Sequence, residues 1–423
     1  MDHYPLRDGV VHCEDVPLPL IAAEVGTPVY VYSTAAMLDQ VRRLKSALAP
    51  LGHPLIAYAV KANPNPAVLA TFAAEGLGAD VVSGGEYRRA LAAGIAPERI
   101  VFSGVGKTAA EMATALEGGL CQFNLESVPE AEMLSQVASA MGREAVVALR
   151  VNPDVDAGTH AKISTGAAHN KFGVAIADAV TACARIRDLP ALRLAGVAVH
   201  IGSQLTSLAP LEAAFERLGA LIRALRGEGH DIRTADLGGG LGLAYDPAAA
   251  APPAPADYGE MVARATLGWE ARLIFEPGRL LVGDAGVLLT RVIRIKPGRA
   301  VPFVIVDAAM NDLMRPSLYD AWHSVEAVVP GVEHMIADIV GPVCETGDTF
   351  ARSRRIDRVE AGELMIIRTA GAYAATMGST YNSRPLTPEV LVNGADWALV
   401  RERQTAEDLM RGYKSPPWLA QGR

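Results

Sequence analysis

The chain has 423 residues, of which 50% are hydrophobic, 20% charged and 5% aromatic, and its formal net charge at pH 7 is −8. The apolar content excludes an intrinsically disordered chain, and the negative charge without a long Lys/Arg cluster argues against a nucleic-acid partner. The sequence contains no apolar run of about 18 residues and no signal-like amino terminus, so we expect no membrane partner and a cytoplasmic, globular protein. The length fits two domains.

The four cysteines, Cys13, Cys121, Cys183 and Cys344, are scattered along the chain and include no C-x-x-C pair. This spacing predicts neither a zinc site nor a disulfide framework, so we expect no metal. Free thiols fit a reducing cytoplasm.

Short β-rich apolar runs alternate with Ala/Leu/Glu/Arg-rich helical stretches from residue 54 onward. The first runs begin at intervals of roughly 20 to 25 residues, the length of one strand, one helix and two loops. The eight predicted strands are 54–62, 78–83, 99–104, 122–127, 144–152, 194–203, 234–240 and 272–279. This α/β pattern predicts a closed (β/α)8 barrel of the TIM type, with an open doubly wound sheet as the alternative.

Two further regions complete the predicted architecture. The interval between the fifth and sixth strands is about twice the usual one and contains the polar segment 152–166, which predicts an active-site lid. Beyond Leu281, strand-like runs without regular helices predict a second, mostly β domain, to which the amino-terminal segment is expected to add a strand. The expected domains are therefore a barrel over 35–281 and a β-rich domain formed by 1–34 and 282–423.

Polar and glycine residues gather at the carboxyl ends of the predicted barrel strands, where barrel enzymes build their sites. Lys61 ends an apolar strand, so its amine is expected to be partly desolvated, with a lowered pKa suited to Schiff-base formation. A snorkelling surface lysine is the competing interpretation. Gly238–Gly240 and the Pro277–Gly278 turn offer bare backbone N–H groups to a phosphate, although tight turns also use glycine. Glu276 lies on the same turn, where its carboxyl group is able to hydrogen-bond to the nitrogen of a pyridine ring in a bound cofactor.

A second polar cluster lies in the predicted β domain. Cys344 and Glu345 pair a possible proton donor with a possible ligand for an ammonium group. Arg315 and Tyr319 lie four residues apart and form a carboxylate-binding pair if both point inward. Tyr373 ends a predicted strand with a phenol that is able to donate to a phosphate.

The segment Y-A-V-K-A-N around Lys61 resembles the cofactor-lysine segment of fold-type III pyridoxal-phosphate decarboxylases. Together with N-K-F-G, H-I-G-S-Q, D-L-G-G-G, E-P-G-R, M-N-D-L-M-R-P-S-L-Y-D, G-P-V-C-E and G-A-Y, in this order, the chain resembles the diaminopimelate decarboxylases over essentially its whole length. The resemblance implies a lyase of lysine biosynthesis that converts meso-2,6-diaminopimelate to L-lysine and CO2 with pyridoxal 5′-phosphate.

The resemblance also implies residue roles. Lys61 would carry the cofactor and Cys344 would protonate the α-carbon after CO2 leaves. The remaining cofactor contacts would come from Asp80, His200, Ser203, Gly239, Gly240, Glu276, Gly278, Arg279 and Tyr373. The substrate contacts would come from Arg279, Arg315, Tyr319, Glu345 and Tyr373. In this family Cys344 and its neighbours reach the site from a second subunit, which implies a homodimer with shared active sites.

Three alternatives remain open at this point. A sister decarboxylase would act on ornithine, lysine, arginine or carboxynorspermidine, and Arg315 tells against the ornithine type. An alanine-racemase-type enzyme also joins a barrel to a β domain, but the Cys344–Glu345 element disfavours it. A pyridoxal-phosphate carrier without catalysis would not need a second domain with polar clusters.

Overall fold

The computed structural model describes residues 2–156 and 170–419. The chain divides into two units, one formed by Ser33–Gly286 with Gly371–Thr376, and the other by Met1–Tyr32, Val287–Ala370 and Met377–Arg423. Residues 157–169, which make up most of the expected lid, lie outside the described residues. No helix in the described ranges is both long and apolar enough to cross a membrane.

The first unit is a closed barrel of eight parallel strands, as the alternating pattern predicts. The strands are β1 (Leu55–Ala59), β2 (Gly78–Val81), β3 (Ile100–Phe102), β4 (Gln122–Leu125), β5 (Ala145–Asn152), β6 (Leu192–Val199), β7 (Thr234–Asp236) and β8 (Arg272–Phe275). They hydrogen-bond in sequence order, with β8 against β1 and β4 against β5, so no open edge remains between these eight. A two-residue strand, Val174–Ala175, pairs with β5. The doubly wound alternative is therefore excluded.

Helices surround the barrel strands. They are Thr34–Leu48, Pro66–Ala74, Gly84–Ala92, Ala109–Gly118, Val128–Met141, Ala179–Arg187, Ala209–Gly227, Pro255–Ala265 and the short Arg279–Val282. Several begin at a hydroxyl residue that ends the preceding loop, because a side-chain oxygen there accepts one of the unpaired first N–H groups. Ser83 accepts from Glu86 N, and Thr108 with Glu111 forms a reciprocal capping box. These two caps fix where the loops after β2 and β3 turn into their helices.

The second unit is β-rich. Its strands are Leu6–Arg7, Val10–Cys13, Val16–Pro17, Val29–Ser33, Gly286–Lys296, Phe303–Val306, Val325–Ala327, His334–Val340, Thr349–Asp357, Leu364–Ile367, Glu389–Asn393 and Asp396–Arg401. The amino-terminal Val29–Ser33 lies in the nine-stranded sheet between Gly286–Lys296 and Glu389–Asn393, which confirms that this segment joins the β domain. Leu18–Val25, Arg315–Tyr319 and Ala406–Met410 are its helices.

The core of this sheet is built from alternate strand residues. Val29 and Val31 pack with Val287 and Leu289 in one buried cluster, because side chains two apart on a strand share a face. The predicted strand that was expected to end at Tyr373 is shorter, since it ends at Ile367. Gly371–Thr376 instead groups with the barrel unit.

Candidate active site

One cavity at the mouth of the barrel collects nearly all the residues predicted to contact the cofactor. Its lining includes Lys61, His200, Ser203, Gly239, Gly240, Glu276, Gly278, Arg279 and Tyr373. The remaining one, Asp80, lies behind Lys61 and accepts its hydrogen bond. Residues from five different strand ends and from the Gly371–Thr376 segment therefore meet at one place.

Lys61 stands just beyond its strand, within the single helical turn Val60–Ala62, and its Nζ atom lies 2.5 Å from Oδ2 of the fully buried Asp80. The expectation of a lowered pKa is wrong. Burial lowers the pKa of Lys61, but nearby negative charge, chiefly that of Asp80, outweighs that effect and raises the pKa above its ordinary value. In the described structure the amine is therefore an ammonium group held by Asp80.

Glu276 follows β8 and is buried against other carboxyl groups. Its Oε1 atom accepts from Ser103 Oγ at 3.2 Å and from Asn124 Nδ2 at 3.3 Å. Burial and the nearby charges of Asp236 and Asp80 raise the pKa of Glu276 well above its usual range. A buried carboxyl group in this state gains its charge only when a cation comes next to it.

His200 follows β6 and is neutral. The Gly239 N–H donates to its Nδ1 atom at 3.2 Å, so the ring proton is placed on Nε2. Burial and the positive charges of Arg150 and Lys61 hold the pKa of His200 well below its ordinary value. An uncharged imidazole with a fixed tautomer is suited to packing against a flat ring.

The glycines at the mouth leave room that a side chain would fill. A Cβ atom on Gly278 would meet the Cβ atoms of Ala59 and Ala62 at 3.1 Å and Tyr373 Oη at 3.3 Å. A Cβ atom on Gly239 would collide with the backbone oxygen of Glu276. Their bare backbone therefore forms a tightly packed cradle in which an anionic group is able to approach the N–H groups.

Arg279 joins the cradle from the amino end of its short helix. Its Nη2 atom lies 3.1 Å from Ser203 Oγ, and its Nη1 atom lies 2.5 Å from Tyr245 Oη. The guanidinium also stacks on Tyr373, 4.7 Å from the ring centre. Tyr373 itself is anchored to the barrel because its N–H donates to Ala62 O at 2.8 Å. A fixed cation and two hydroxyl groups thus face the same side of the cavity.

The β-rich unit brings its own predicted residues together. Arg315 and Tyr319 lie on the short helix Arg315–Tyr319, and Ser317 Oγ on that helix donates to Gly347 O in the turn that carries Cys344 and Glu345. Arg315 is buried.

A buried carboxylate joins these two segments a second time. Asp348 accepts from Met310 N at 2.6 Å and from Val343 N at 2.7 Å. The Cys344 side chain is exposed and its sulfur lies 3.0 Å from Asn382 Nδ2.

Comparison with known proteins gives this arrangement a family. Residues 35–283 match the family model described as "Pyridoxal-dependent decarboxylase, pyridoxal binding domain". A diaminopimelate decarboxylase of Zymomonas mobilis is 59% identical over 98% of this chain and 99% of its own. The chain belongs to the diaminopimelate decarboxylase family. Another relative of that name, from Pseudomonas aeruginosa, is 49% identical over 99% of this chain and 100% of its own.

A solved structure extends the likeness to three dimensions. The diaminopimelate decarboxylase of M. jannaschii, determined in complex with L-lysine, superposes with a TM-score of 0.95 at 35% identity and covers 99% of both chains. Full-length identity to relatives of one name makes this chain a pyridoxal-phosphate-dependent decarboxylase and excludes a racemase or a carrier without catalysis.

The cavity fits the pyridoxal 5′-phosphate that this family uses. Lys61 supplies an amine and Glu276 a buried carboxyl group that lacks charge until a cation arrives. The glycine cradle leaves bare backbone for a phosphate.

Sequence reasoning missed three polar residues that hydrogen-bond to predicted site residues or to the segments that carry them. The D-L-G-G-G motif draws attention to its glycines and not to Asp236, although a charged residue at the end of a buried strand is itself a signal of function. Asn124 lies within a predicted strand, where a polar residue does not show which partners it meets. Asp348 follows the G-P-V-C-E motif, but nothing local in the sequence shows that its carboxylate turns back onto two backbone N–H groups.

Proposed function

We propose a set of residue roles for the reaction of this family, in which meso-2,6-diaminopimelate loses CO2 to give L-lysine at the end of lysine biosynthesis. The observation that carries the proposal is the single cavity in which Lys61, Glu276, the neutral His200 and the glycine cradle meet. The enzyme is a carboxy-lyase, and its substrate is a small amino acid.

The bound pyridoxal phosphate supplies an electron sink for the carbon–carbon bond that breaks. Lys61 would hold it covalently, with Asp80 orienting the amine, and Glu276 would hold the ring nitrogen while His200 packs on the ring face. Four residues around the cradle would hold the phosphate with the Ser203 hydroxyl: Gly239, Gly240, Gly278 and Tyr373.

The protein's own tasks are orientation and proton transfer. Arg279 is buried and fixed by two hydrogen bonds, so it presents a cation at an unchanging position to a substrate carboxylate. Arg315 and Tyr319 would bind the carboxylate at the non-reacting end of the substrate, and Glu345 would take the amine there. The Cys344 thiol would donate a proton to the α-carbon.

The cluster around Cys344 belongs to the β-rich domain that we delimit as 1–34 and 282–423. We assign it to the barrel site of a second subunit, so that the enzyme is a homodimer with shared active sites. Free cysteines and the biosynthetic role favour the cytoplasm as its location.

The test is a panel of amino acids offered to the purified enzyme, with released CO2 as the readout. We expect meso-diaminopimelate to be decarboxylated far faster than lysine, ornithine or arginine, because only a substrate with a second carboxylate satisfies Arg315 and Tyr319. Equal turnover of ornithine would contradict the substrate assignment and favour a sister decarboxylase. Exchange at the α-carbon without CO2 would contradict the reaction itself.

A further inference from the structure

Two buried carboxyl groups lie side by side in the barrel. Asp236 ends β7, and Glu276 follows the neighbouring strand β8. The amide Nδ2 of Asn124 lies 2.8 Å from Asp236 Oδ2 and 3.3 Å from Glu276 Oε1, so one amide bridges both groups. The two carboxyl groups are near enough for the titration of each to depend on the other. We call Asp236 and Glu276 the carboxyl pair.

The orientation of the bridging amide is fixed by a chain of hydrogen bonds. Thr234 Oγ1 donates to Gln122 Oε1 at 2.7 Å, and Gln122 Nε2 donates to Asn124 Oδ1 at 2.8 Å. Asn124 must therefore present its N–H groups, and not its oxygen, to the carboxyl pair. Both carboxyl groups therefore accept hydrogen bonds from Asn124 and donate none to it.

Two buried carboxyl groups that accept from the same amide repel each other when both are charged, so the pair keeps one proton near neutral pH. Asp236 has N–H donors on both oxygens, from Gly238 N at 2.9 Å and from Asn124, and these favour its charged form. The proton thus resides on Glu276. The directions of titration agree: burial raises the pKa of Asp236 to about 6, whereas burial and the Asp236 charge raise the pKa of Glu276 well above its usual range.

We infer that Asp236 is a positioning residue that acts through Glu276: the carboxyl pair holds one proton, and binding of a protonated pyridine ring beside Glu276 releases that proton to solvent. In this step the O–H bond of Glu276 breaks, the ring nitrogen keeps its own proton, and the positive ring replaces the lost proton as the partner of the pair. The inference rests on the cofactor role proposed for Glu276.

The other titratable groups near the carboxyl pair are Asp80, Lys61, Tyr258 and Cys121. Asp80 and Lys61 lie at neighbouring strand ends but already pair with each other at 2.5 Å. Tyr258 from helix Pro255–Ala265 and the Cys121 thiol also feel the Asp236 charge, and burial raises the pKa of both, so they stay uncharged near neutrality. Neither Tyr258 nor Cys121 supplies a positive charge that would replace the proton, so the carboxyl pair keeps it.

The test measures protons and not turnover. Full-length enzyme stripped of cofactor is titrated with pyridoxine 5′-phosphate, which has no aldehyde and so forms no bond with Lys61. Calorimetry at pH 7.5 in two buffers of different ionisation enthalpy gives the number of protons released on binding. We expect wild type to release more protons than Asp236→Asn, because without the Asp236 charge beside it Glu276 holds its proton less tightly. Protons from the probe's phosphate are common to both proteins.

Control variants separate the possible outcomes. Asp178→Asn removes an exposed carboxylate elsewhere on the barrel and should release as many protons as wild type. Should Asp236→Asn fail to fold, Asp236→Ser takes its place, with the same expected loss of proton release. Equal release by wild type and either pair variant would overturn the role of Asp236 while leaving the cofactor site intact. Absence of any binding by wild type would overturn both.

Discussion

The Nζ atom of Lys61 lies 2.5 Å from Oδ2 of Asp80, a carboxylate with no solvent exposure on the neighbouring strand β2. Because the registers of β1 and β2 place Ala59 opposite Asp80, the contact is built into the barrel and does not depend on a mobile loop. The amine is consequently held ready in one place but kept protonated.

Replacing Lys61 by Ala should abolish retention of the cofactor's visible absorbance after desalting, because no other lysine lines the cavity in residues 2–156 and 170–419. Lys45→Ala is the matched control, since Lys45 is a barrel lysine that instead pairs with Glu75 at 2.9 Å. The measurement is the visible absorbance that Lys61→Ala and Lys45→Ala each retain after desalting. A coloured Lys61→Ala protein would contradict the assignment.

Replacing Asp80 by Asn should move cofactor attachment to lower pH. The charge of Asp80 raises the pKa of Lys61, so without it the reactive neutral amine is present at lower pH. The measurement is the rate at which visible absorbance appears when stripped protein meets pyridoxal phosphate between pH 6 and 10. Asp188→Asn, which breaks only an exposed pair with Arg187, should leave the profile in place. An unmoved profile in Asp80→Asn would show that Asp80 does not govern the amine.

Gly239→Ala should weaken cofactor binding by at least about tenfold, because its Cβ atom would collide with the Glu276 backbone oxygen and displace that residue. Fluorescence titration of the stripped protein with pyridoxal phosphate gives the affinity. Gly227→Ala is the control, as a Cβ atom at that helical position meets nothing within 4 Å. It should bind normally and gain up to about 1 kcal/mol of stability. Normal binding by Gly239→Ala would mean that the cradle tolerates a side chain.

Cys344→Ala should lower turnover about 100-fold or more while the cofactor stays bound, since loss of a general acid removes proton transfer and not binding. The readout is CO2 release under saturating substrate, beside the visible spectrum. Cys121→Ala removes a half-buried thiol from the barrel and should keep its turnover. Unchanged turnover in Cys344→Ala would require another proton donor.

Asp312→Asn should stabilise the protein at pH 8 and not at pH 4. Burial raises the pKa of Asp312 to about 6, so the folded state binds a proton more tightly than the unfolded state. Its ionisation costs the folded state stability above about pH 6, and this cost disappears as the pH falls toward 4. The gain at pH 8 should be about 1–3 kcal/mol, seen as a higher apparent melting temperature.

The comparison is made with Asp396→Asn, which removes an exposed carboxylate of the same unit. Other buried carboxyl groups contribute equally to wild type and variant, so only the difference between them is interpreted. A difference that does not change with pH would contradict the account.

The barrel and its strand-end residues were predictable because both depend on local patterns. Strand and helix alternate at a regular interval, and a residue at a strand end reaches the mouth whatever its partners are. Lys61, His200 and Glu276 were therefore located from the sequence. The state of these residues was not predictable, since it depends on neighbours distant in the chain. The pKa of Lys61 rises chiefly because the Asp80 carboxylate is close, whereas desolvation alone predicts a lowered pKa.

Residues beyond the barrel show the same limit. Tyr373 was expected at the end of a strand, but the strand ends at Ile367, and Tyr373 lies in a turn with φ of 53°. The contact that places it, from its N–H to Ala62 O, joins segments more than three hundred residues apart. No periodicity carries that information.

The two backbone hydrogen bonds to Asp348 matter for redesigning the enzyme. They tie the Met310 segment, which leads to Arg315, to the Val343 segment, which leads to Cys344, and Gly341 packs so closely on the Asp348 carboxylate that a side chain there would collide with it. Grafting either loop alone from a decarboxylase of other specificity would separate a carboxylate from its donors. A successful exchange must transplant both loops with Asp348 and Gly341 as one module.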